Sequence, residues 1–162
     1  MNPSLGFHHN AIGVALLASL LATGCRPKPP LEGKTVPELE AMLKSADPNQ
    51  QSLGALGLSK LGVKAAPAAP SLIEALKNPE TIVRQNAALA LGNIGPAAKM
   101  AVGPLTDCLR DPEWAVRRQA AVALGQIGPE ARAAIPALQK LQQDPNGTVR
   151  RAADEALSRL RR

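Results

Sequence analysis

The sequence predicts an all-α protein, an α-solenoid of about four helix pairs, and two observations carry this prediction. An 18-residue segment recurs every 33 residues, as NPETIVRQNAALALGNIG from residue 78, DPEWAVRRQAAVALGQIG from residue 111 and DPNGTVRRAADEALSRLR from residue 144. In addition, 45% of the residues are hydrophobic but only 1% are aromatic, a composition that suits closely packed helices better than strands. A helix pair of this length cannot bury both helices alone, so successive pairs must stack.

Residues 1–24 are predicted to be a signal peptide. They contain no Lys, Arg, Asp or Glu and end in the run AIGVALLASLLATG, immediately before Cys25. This run is too short to cross a bilayer core of ~30 Å as a helix, but it fits the h-region of a secretory signal. An uncleaved signal, an ordinarily cleaved signal and an apolar segment without a targeting role are the alternatives at this point.

Residues 25–34 are predicted to be an extended tether, because the charged, proline-rich sequence RPKPP cannot pack into a core. Residues 35–162 then form the repeat domain, with units at about 35–62, 63–95, 96–128 and 129–162. The first unit is the most polar, as an end cap requires, because its outer face meets water. Its Asp47-Pro48 pair stands 31 residues before Asn78-Pro79.

Each unit is predicted to contain a helix A, a tight turn and a helix B. Helix A covers about residues 68–77, 102–110 and 135–143 of the later units. In helix B, Asp111 is predicted to be the N-cap and Pro112 the first helical residue, and Gly128 ends the helix. Gly92 and Gly125 recur inside helix B, where each costs ~1 kcal/mol relative to Ala, so we expect close helix contact there.

No catalytic constellation is found in the sequence. The only histidines, His8 and His9, belong to the predicted signal, and carboxylates are spread along the surface at the repeat spacing. We therefore expect no catalysis, no metal site and no cofactor. Cys108 takes the position of Ala75 and Leu141 in the neighbouring units, which favours a buried hydrophobic role over a reactive thiol.

The pattern D-P-x-x-x-V-R-x-x-A-A-x-A-L-G-x-I-G resembles HEAT repeats, in particular the short bacterial type named after phycobilisome lyases. The resemblance covers about residues 35–162 and implies a HEAT-like solenoid. It also implies a ladder of hydrogen bonds between units, formed by an acidic or amide residue in the turn and an Arg in helix B. The matching positions are Asn78, Asp111 and Asp144 with Arg84, Arg117 and Arg150, and Gln51 takes the Arg position in the first unit.

The sequence LATGC at residues 21–25 is similar to the lipobox of bacterial lipoproteins. This resemblance implies lipidation of Cys25 and a membrane-anchored protein of the cell envelope. Arg26 follows the cysteine, and the lipoprotein sorting pattern then implies the outer membrane, facing the periplasm. The cell surface and the inner membrane are the alternatives.

The resemblance further implies that the B helices line the binding face of the solenoid. Trp114, Arg118, Ala121 and Gly125 lie on one side of their helix, away from its apolar stripe. Arg151 and Gln85 occupy the phase of Arg118, so we expect them to lie on the same surface, which either meets an anionic partner or is a solvated face without one. Trp114 either binds a partner or packs in a gap, and the sequence leaves both open.

The net charge of +6 favours a partner with an acidic surface. The sequence therefore predicts a membrane-anchored, non-catalytic scaffold that binds an unidentified protein. A subunit or chaperone of a chromophore lyase is one alternative. A basic binder of nucleic acid or of an anionic envelope polymer is another, although the predicted export disfavours nucleic acid.

Overall fold

Eight α-helices and three 3₁₀ segments make up the described part of the chain, residues 31–162 of a computed structural model. The predicted signal, Cys25 and the tether up to residue 30 lie outside the described residues. The helices are α1 (Val36–Leu43), α2 (Pro48–Leu61), α3 (Ala69–Ala75), α4 (Thr81–Ile94), α5 (Val102–Cys108), α6 (Trp114–Ile127), α7 (Ile135–Leu141) and α8 (Gly147–Leu160). They form four helix pairs, and residues 31–162 contain no strand, which confirms the predicted α-solenoid.

The 33-residue period holds through all four pairs. The even-numbered helices, which are the predicted B helices, are each 14 residues long and start 33 residues apart. Asp47 therefore corresponds to Glu80, Glu113 and Asn146, and not to Asn78 as its Asp-Pro sequence suggested. The first unit is atypical in composition but keeps the same register.

Helix α6 begins later than predicted, at Trp114 with Glu113 as its N-cap. The predicted N-cap Asp111 instead folds the preceding turn, where its Oδ1 accepts a hydrogen bond of 2.9 Å from the backbone N of Glu113. An aspartate followed by Pro accepts a hydrogen bond from the backbone N–H two residues later, and this closes a turn before the helix starts. Asp47 and Asn146, at the true N-cap positions, do cap their helices through their side chains.

A glycine with positive φ ends α2, α4 and α6, at Gly62 (φ 54°), Gly95 (φ 72°) and Gly128 (φ 83°). Only glycine adopts this backbone conformation without strain. Each of these glycines opens a seven-residue 3₁₀ segment, Gly62–Ala68, Gly95–Ala101 or Gly128–Ala134. The helices thus end where the sequence predicts, but the connections are ordered helical turns.

The B helices pack side by side through small residues. A Cβ built on Gly92 would lie 2.9 Å from the Cα of Ala123, and one built on Gly125 would lie 3.0 Å from the Cα of Ala156. The recurring glycines are therefore sites of close helix contact, as their spacing predicts. Around this seam the core is made of fully buried leucines, isoleucines, valines and alanines.

The two end units differ from the inner ones. At the first pair, Leu39 of α1 fills the space beside Gly57, whose counterparts Ala123 and Ala156 pack against the preceding B helix. At the last pair, exposed Asp154 and Ser158 of α8 replace buried alanines and glycines of the inner B helices. Both end faces are thus covered or polar, as solvent contact requires.

None of the helices between residues 31 and 162 is both long and apolar enough to cross a bilayer.

Candidate functional site

The predicted ladder residues meet at the turns between helix A and helix B. Arg84 donates from Nε and Nη2 to the two carboxylate oxygens of Asp111, at 2.8 and 3.0 Å. Arg117 donates in the same way to Asp144, at 2.7 and 3.1 Å. Such two-pronged contacts fix both the distance and the angle between neighbouring units, so the ladder has a structural role.

The ladder continues at the first unit with neutral groups. Nδ2 of Asn78 donates to Oε1 of Gln51 at 2.8 Å, and Nε2 of Gln51 donates to the carbonyl oxygen of Ser45 at 2.7 Å. Arg84 makes the equivalent bond to the carbonyl oxygen of Asn78 at 2.9 Å, so Gln51 reproduces the backbone contact of the arginines. At the last unit, Arg150 donates to the carbonyl oxygens of Asp144 and Pro145, and within residues 31–162 it has no carboxylate partner.

The ion pairs of the ladder shift the pKa values of their members. The hydrogen bonds that Arg117 donates hold the pKa of Asp144 below its usual range, and hydrogen bonding to the carboxylates of Asp111 and Asp144 raises the pKa of Arg84 and Arg117, respectively. Only 5% of the Asp144 side-chain surface is exposed, and 14% of that of Arg117. These groups are therefore committed to the fold and are not available to a partner.

Four rows of residues, each with one residue per helix at the 33-residue spacing, lie on the exposed side of the B helices beside the row of Pro48, Thr81, Trp114 and Gly147. We call these four rows the helix-B face. Its residues are at least partly exposed, and the rows are Asn49, Ile82, Ala115 and Thr148; Ser52, Gln85, Arg118 and Arg151; Leu56, Leu89, Val122 and Glu155; and Lys60, Asn93, Gln126 and Arg159.

Two residues predicted to lie on this face are buried. Ala121 has no exposed surface, and Gly125 packs against Ala156 of the next B helix. The spacing of three and four residues correctly identified one side of the helix, but the adjacent B helix covers the part of that side with the smallest residues. The accessible surface of α6 therefore includes Arg118, Val122 and Gln126 but not Ala121 or Gly125.

An apolar strip runs along the helix-B face, and the sequence reasoning missed it. Leu56, Leu89 and Val122 are half-buried on three successive B helices, and Ile82 is 49% exposed in the first turn of α4. The sequence does contain a signal for the strip, because Leu56, Leu89 and Val122 recur at the 33-residue spacing. The more numerous buried apolar residues of the same helices obscured it. The strip is an apolar surface on which a partner can pack.

Arg118 and Arg151 lie together at the end of this strip. They line an open groove of about 260 Å³ between α6 and α8, together with Val122 and Glu155. Neither arginine forms a salt bridge within residues 31–162, whereas the neighbouring Arg117 is fully engaged in the ladder. Gln85 is half-buried in the same row on α4.

Trp114 is the first residue of α6 and is 47% exposed. Its counterparts in the neighbouring units are Thr81 and Gly147, so the fold does not require an aromatic ring there. About half of the residue packs on protein and half faces solvent. Trp114 therefore extends the accessible apolar surface at the start of α6.

Cys108 is a free, buried thiol, and burial raises its pKa to about 11. It is protonated at neutral pH and packs as an apolar side chain. No group of three or more His, Cys, Asp or Glu residues in the described part of the chain is arranged to hold a metal ion.

Residues 69–158 match the family described as HEAT repeats. No curated protein is significantly similar to the chain. An engineered protein solved by the Northeast Structural Genomics Consortium is 27% identical, with a TM-score of 0.67, and the match covers 78% of this chain and 62% of that one.

Two further solved structures are similar. A designed armadillo repeat protein in complex with the peptide (KR)4 has a TM-score of 0.67 at 22% identity, covering 75% of this chain and 62% of that one, a likeness of fold alone. The CpcE–CpcF complex of phycocyanin lyase from Nostoc sp. PCC7120 is matched with a TM-score of 0.58 at 26% identity, covering 84% and 69%. The chain spans less than two thirds of the engineered and designed proteins it resembles.

Proposed function

The chain belongs to the HEAT-repeat family, and we propose that it is a non-catalytic protein-interaction module that binds its partner through the helix-B face. The observation that carries this proposal is the apolar strip of Leu56, Leu89 and Val122, which ends beside Arg118 and Arg151, two arginines that form no ion pair within residues 31–162. A partner segment with apolar side chains and a carboxylate at one end matches this surface.

The energetics of such a contact divide between the two parts of the surface. Complete burial of an exposed Ile or Leu side chain contributes about 1.5–3 kcal/mol. Leu56, Leu89 and Val122 are already partly buried and each contributes only a fraction of this value, while Ile82, which is 49% exposed, contributes about half of it. Arg118 and Arg151 contribute mainly to orientation and association rate, because an interfacial ion pair offsets part of its attraction by desolvation. Trp114 adds a large, rigid apolar surface of the type enriched in binding hot spots.

The proposed location is the bacterial cell envelope, with Cys25 as the lipid anchor. The apolar run before Cys25 and the lipobox-like residues 21–25 support this part of the proposal. Metabolic labelling with a radioactive fatty acid should mark the wild-type protein and not the Cys25→Ser variant. Equal labelling of both proteins, or labelling of neither, would exclude the anchor.

The binding proposal is tested by affinity capture from detergent-solubilised envelopes. Arg118→Glu/Arg151→Glu reverses the charge of the groove, and Lys64→Glu/Lys99→Glu makes the same charge change at exposed positions on 3₁₀ segments away from the helix-B face. The first variant should lose the partners that the wild type and the second variant retain. Equal loss in both variants would indicate non-specific charge attraction and refute the proposal.

A chromophore-lyase role is the alternative, supported by the similarity to a chain of the phycocyanin lyase complex. It predicts covalent attachment of a bilin to a phycocyanin subunit when this chain and a second lyase subunit are supplied together. Export of the chain across the membrane would argue against it.

A binder of anionic polymer would instead show a steep loss of binding with salt and no protein partner.

A further inference from the structure

A second surface lies on the odd-numbered helices, where three equivalent grooves separate α1 from α3, α3 from α5, and α5 from α7. Their volumes are about 230, 280 and 480 Å³, respectively. The lining residues recur at the 33-residue spacing, so the three grooves can be compared position by position. None of them shares a residue with the helix-B face.

The α5–α7 groove is the largest of the three and has a partly apolar lining. Leu109 and Leu141 line it but are almost fully buried, whereas Ala133, Pro136 and Ala137 supply accessible apolar surface, and Arg110 and Lys140 are exposed. Its volume falls in the range of sites that hold small ligands or a few side chains. The groove therefore offers both an apolar contact and a charged one.

The three grooves differ in charge at several equivalent positions, but the sign of the charge reverses at one of them. Helices α3, α5 and α7 present Glu74, Asp107 and Lys140, respectively, to their grooves. The repeat fold accepts either sign at this exposed position, so the fold does not dictate the lysine. Replacing a carboxylate by an ammonium group changes the ion that the groove attracts.

The remaining charges reinforce this difference. In the α5–α7 groove the lining carboxylate, Asp144, is engaged by Arg117 at 2.7 Å. In the α1–α3 groove the cation, Lys44, is engaged by Glu40 at 2.7 Å. Among the three grooves, that between α5 and α7 thus combines two cations with no unengaged carboxylate within residues 31–162.

We propose that the α5–α7 groove docks a short segment of a partner protein in which apolar side chains alternate with carboxylates. The apolar side chain lies on Pro136 and Ala137, and the carboxylate contacts Arg110 and Lys140. An inorganic anion would use the cations but would leave this apolar surface in water, whereas a purely apolar segment would leave the cations unpaired. The α5–α7 groove gives this protein a second contact, independent of the helix-B face.

The experiment measures the fluorescence anisotropy of a fluorescein-labelled six-residue peptide of alternating leucine and glutamate, titrated with the full-length chain. Lys140→Glu should weaken binding by about tenfold or more, because it places a like charge beside the glutamates. The matched control is Lys77→Glu, the same charge change in the α3–α5 groove, and it should alter binding by less than about twofold. Circular dichroism verifies that both variants are folded.

Companion titrations identify which part of the peptide is recognised. Peptides with serine in place of leucine, or glutamine in place of glutamate, should both bind much more weakly than the parent. The proposal would be overturned in favour of a simple anion site if the serine peptide bound as tightly as the parent peptide. The same conclusion would follow if hexametaphosphate displaced the labelled peptide as effectively as the unlabelled peptide does. Equal weakening by Lys77→Glu, or loss of binding in Arg118→Glu/Arg151→Glu but not in Lys140→Glu, would also overturn the proposal.

Discussion

The ladder supplies its own test, because the first unit carries a neutral version of the rung that the later units build from ions. We consider Arg117→Gln and Asp144→Asn, alone and combined. The double variant reproduces at the third rung of the ladder the Gln51–Asn78 pair that the protein already uses, with its 2.8 Å amide contact.

The expected magnitudes follow from burial and hydrogen bonding. Arg117→Gln leaves the Asp144 carboxylate, 5% exposed, without its cation, and should lower the free energy of unfolding by about 3 kcal/mol. Asp144→Asn keeps one side-chain oxygen, which can still accept from the backbone N of Asn146 and from Nη2 of Arg117, but it places an NH2 group opposite Nε of Arg117 and should cost about 1.5 kcal/mol. The double variant leaves no buried charge and should cost no more than about 2 kcal/mol.

Urea denaturation followed by circular dichroism at 222 nm measures these differences. The characteristic result is that Asp144→Asn, which destabilises the wild type, stabilises the Arg117→Gln protein by about 1 kcal/mol. If the two costs simply add, the neutral rung cannot substitute for the ionic one. The reasoning about burial would then be wrong.

Three further predictions concern the fold. Arg117 holds the pKa of Asp144 below its unfolded value, so this carboxylate contributes stability above about pH 4 that is lost as the pH falls through the folded pKa. The free energy of unfolding should therefore fall less steeply with decreasing pH in Asp144→Asn than in the wild type. An unchanged pH dependence would contradict this. Gly54→Ala places a Cβ 2.5 Å from the backbone N of Leu43 and should destabilise by about 2 kcal/mol despite better helix propensity, whereas Gly103→Ala, with nothing within 4 Å, should be neutral or slightly stabilising in the same urea titration. With a pKa of about 11, Cys108 should react with iodoacetamide at pH 8 at least about 100-fold more slowly in the folded protein than in urea, as peptide mapping will measure, and comparable rates would mean that the thiol is not buried.

Much of the fold was predictable because the repeat specifies the same local structure several times. Glycines at a fixed phase, followed by a second helix-forming segment, locate the ends of α4 and α6 to within a residue. The start of α6 was misplaced because Asp111 can cap a turn or a helix through the same oxygen, and only the backbone geometry distinguishes the two. The true N-cap, Glu113, makes no capping hydrogen bond through its side chain, so its residue type does not mark the start of the helix in the sequence.

The surface was less predictable than the core. Arg118 and Arg151 were assigned to a common surface from their 33-residue spacing, and they do line one groove. Ala121 and Gly125 were placed on the same surface, because periodicity along one helix does not reveal which flank the next helix covers. The grooves between the odd-numbered helices were missed because each combines residues of two neighbouring units, and the spacing within one unit does not show which side chains meet across the two.

The most direct test of the interaction proposal is photo-crosslinking from within the helix-B face. A benzoylphenylalanine introduced at Val122, between Arg118 and Arg151, should crosslink a discrete envelope protein, and Arg151→Glu should abolish the product. The same photoreactive residue at Lys99, on a 3₁₀ segment outside that face, should give none. A product of equal yield from both positions, or one that Arg151→Glu does not reduce, would contradict the assignment of partner binding to the helix-B face.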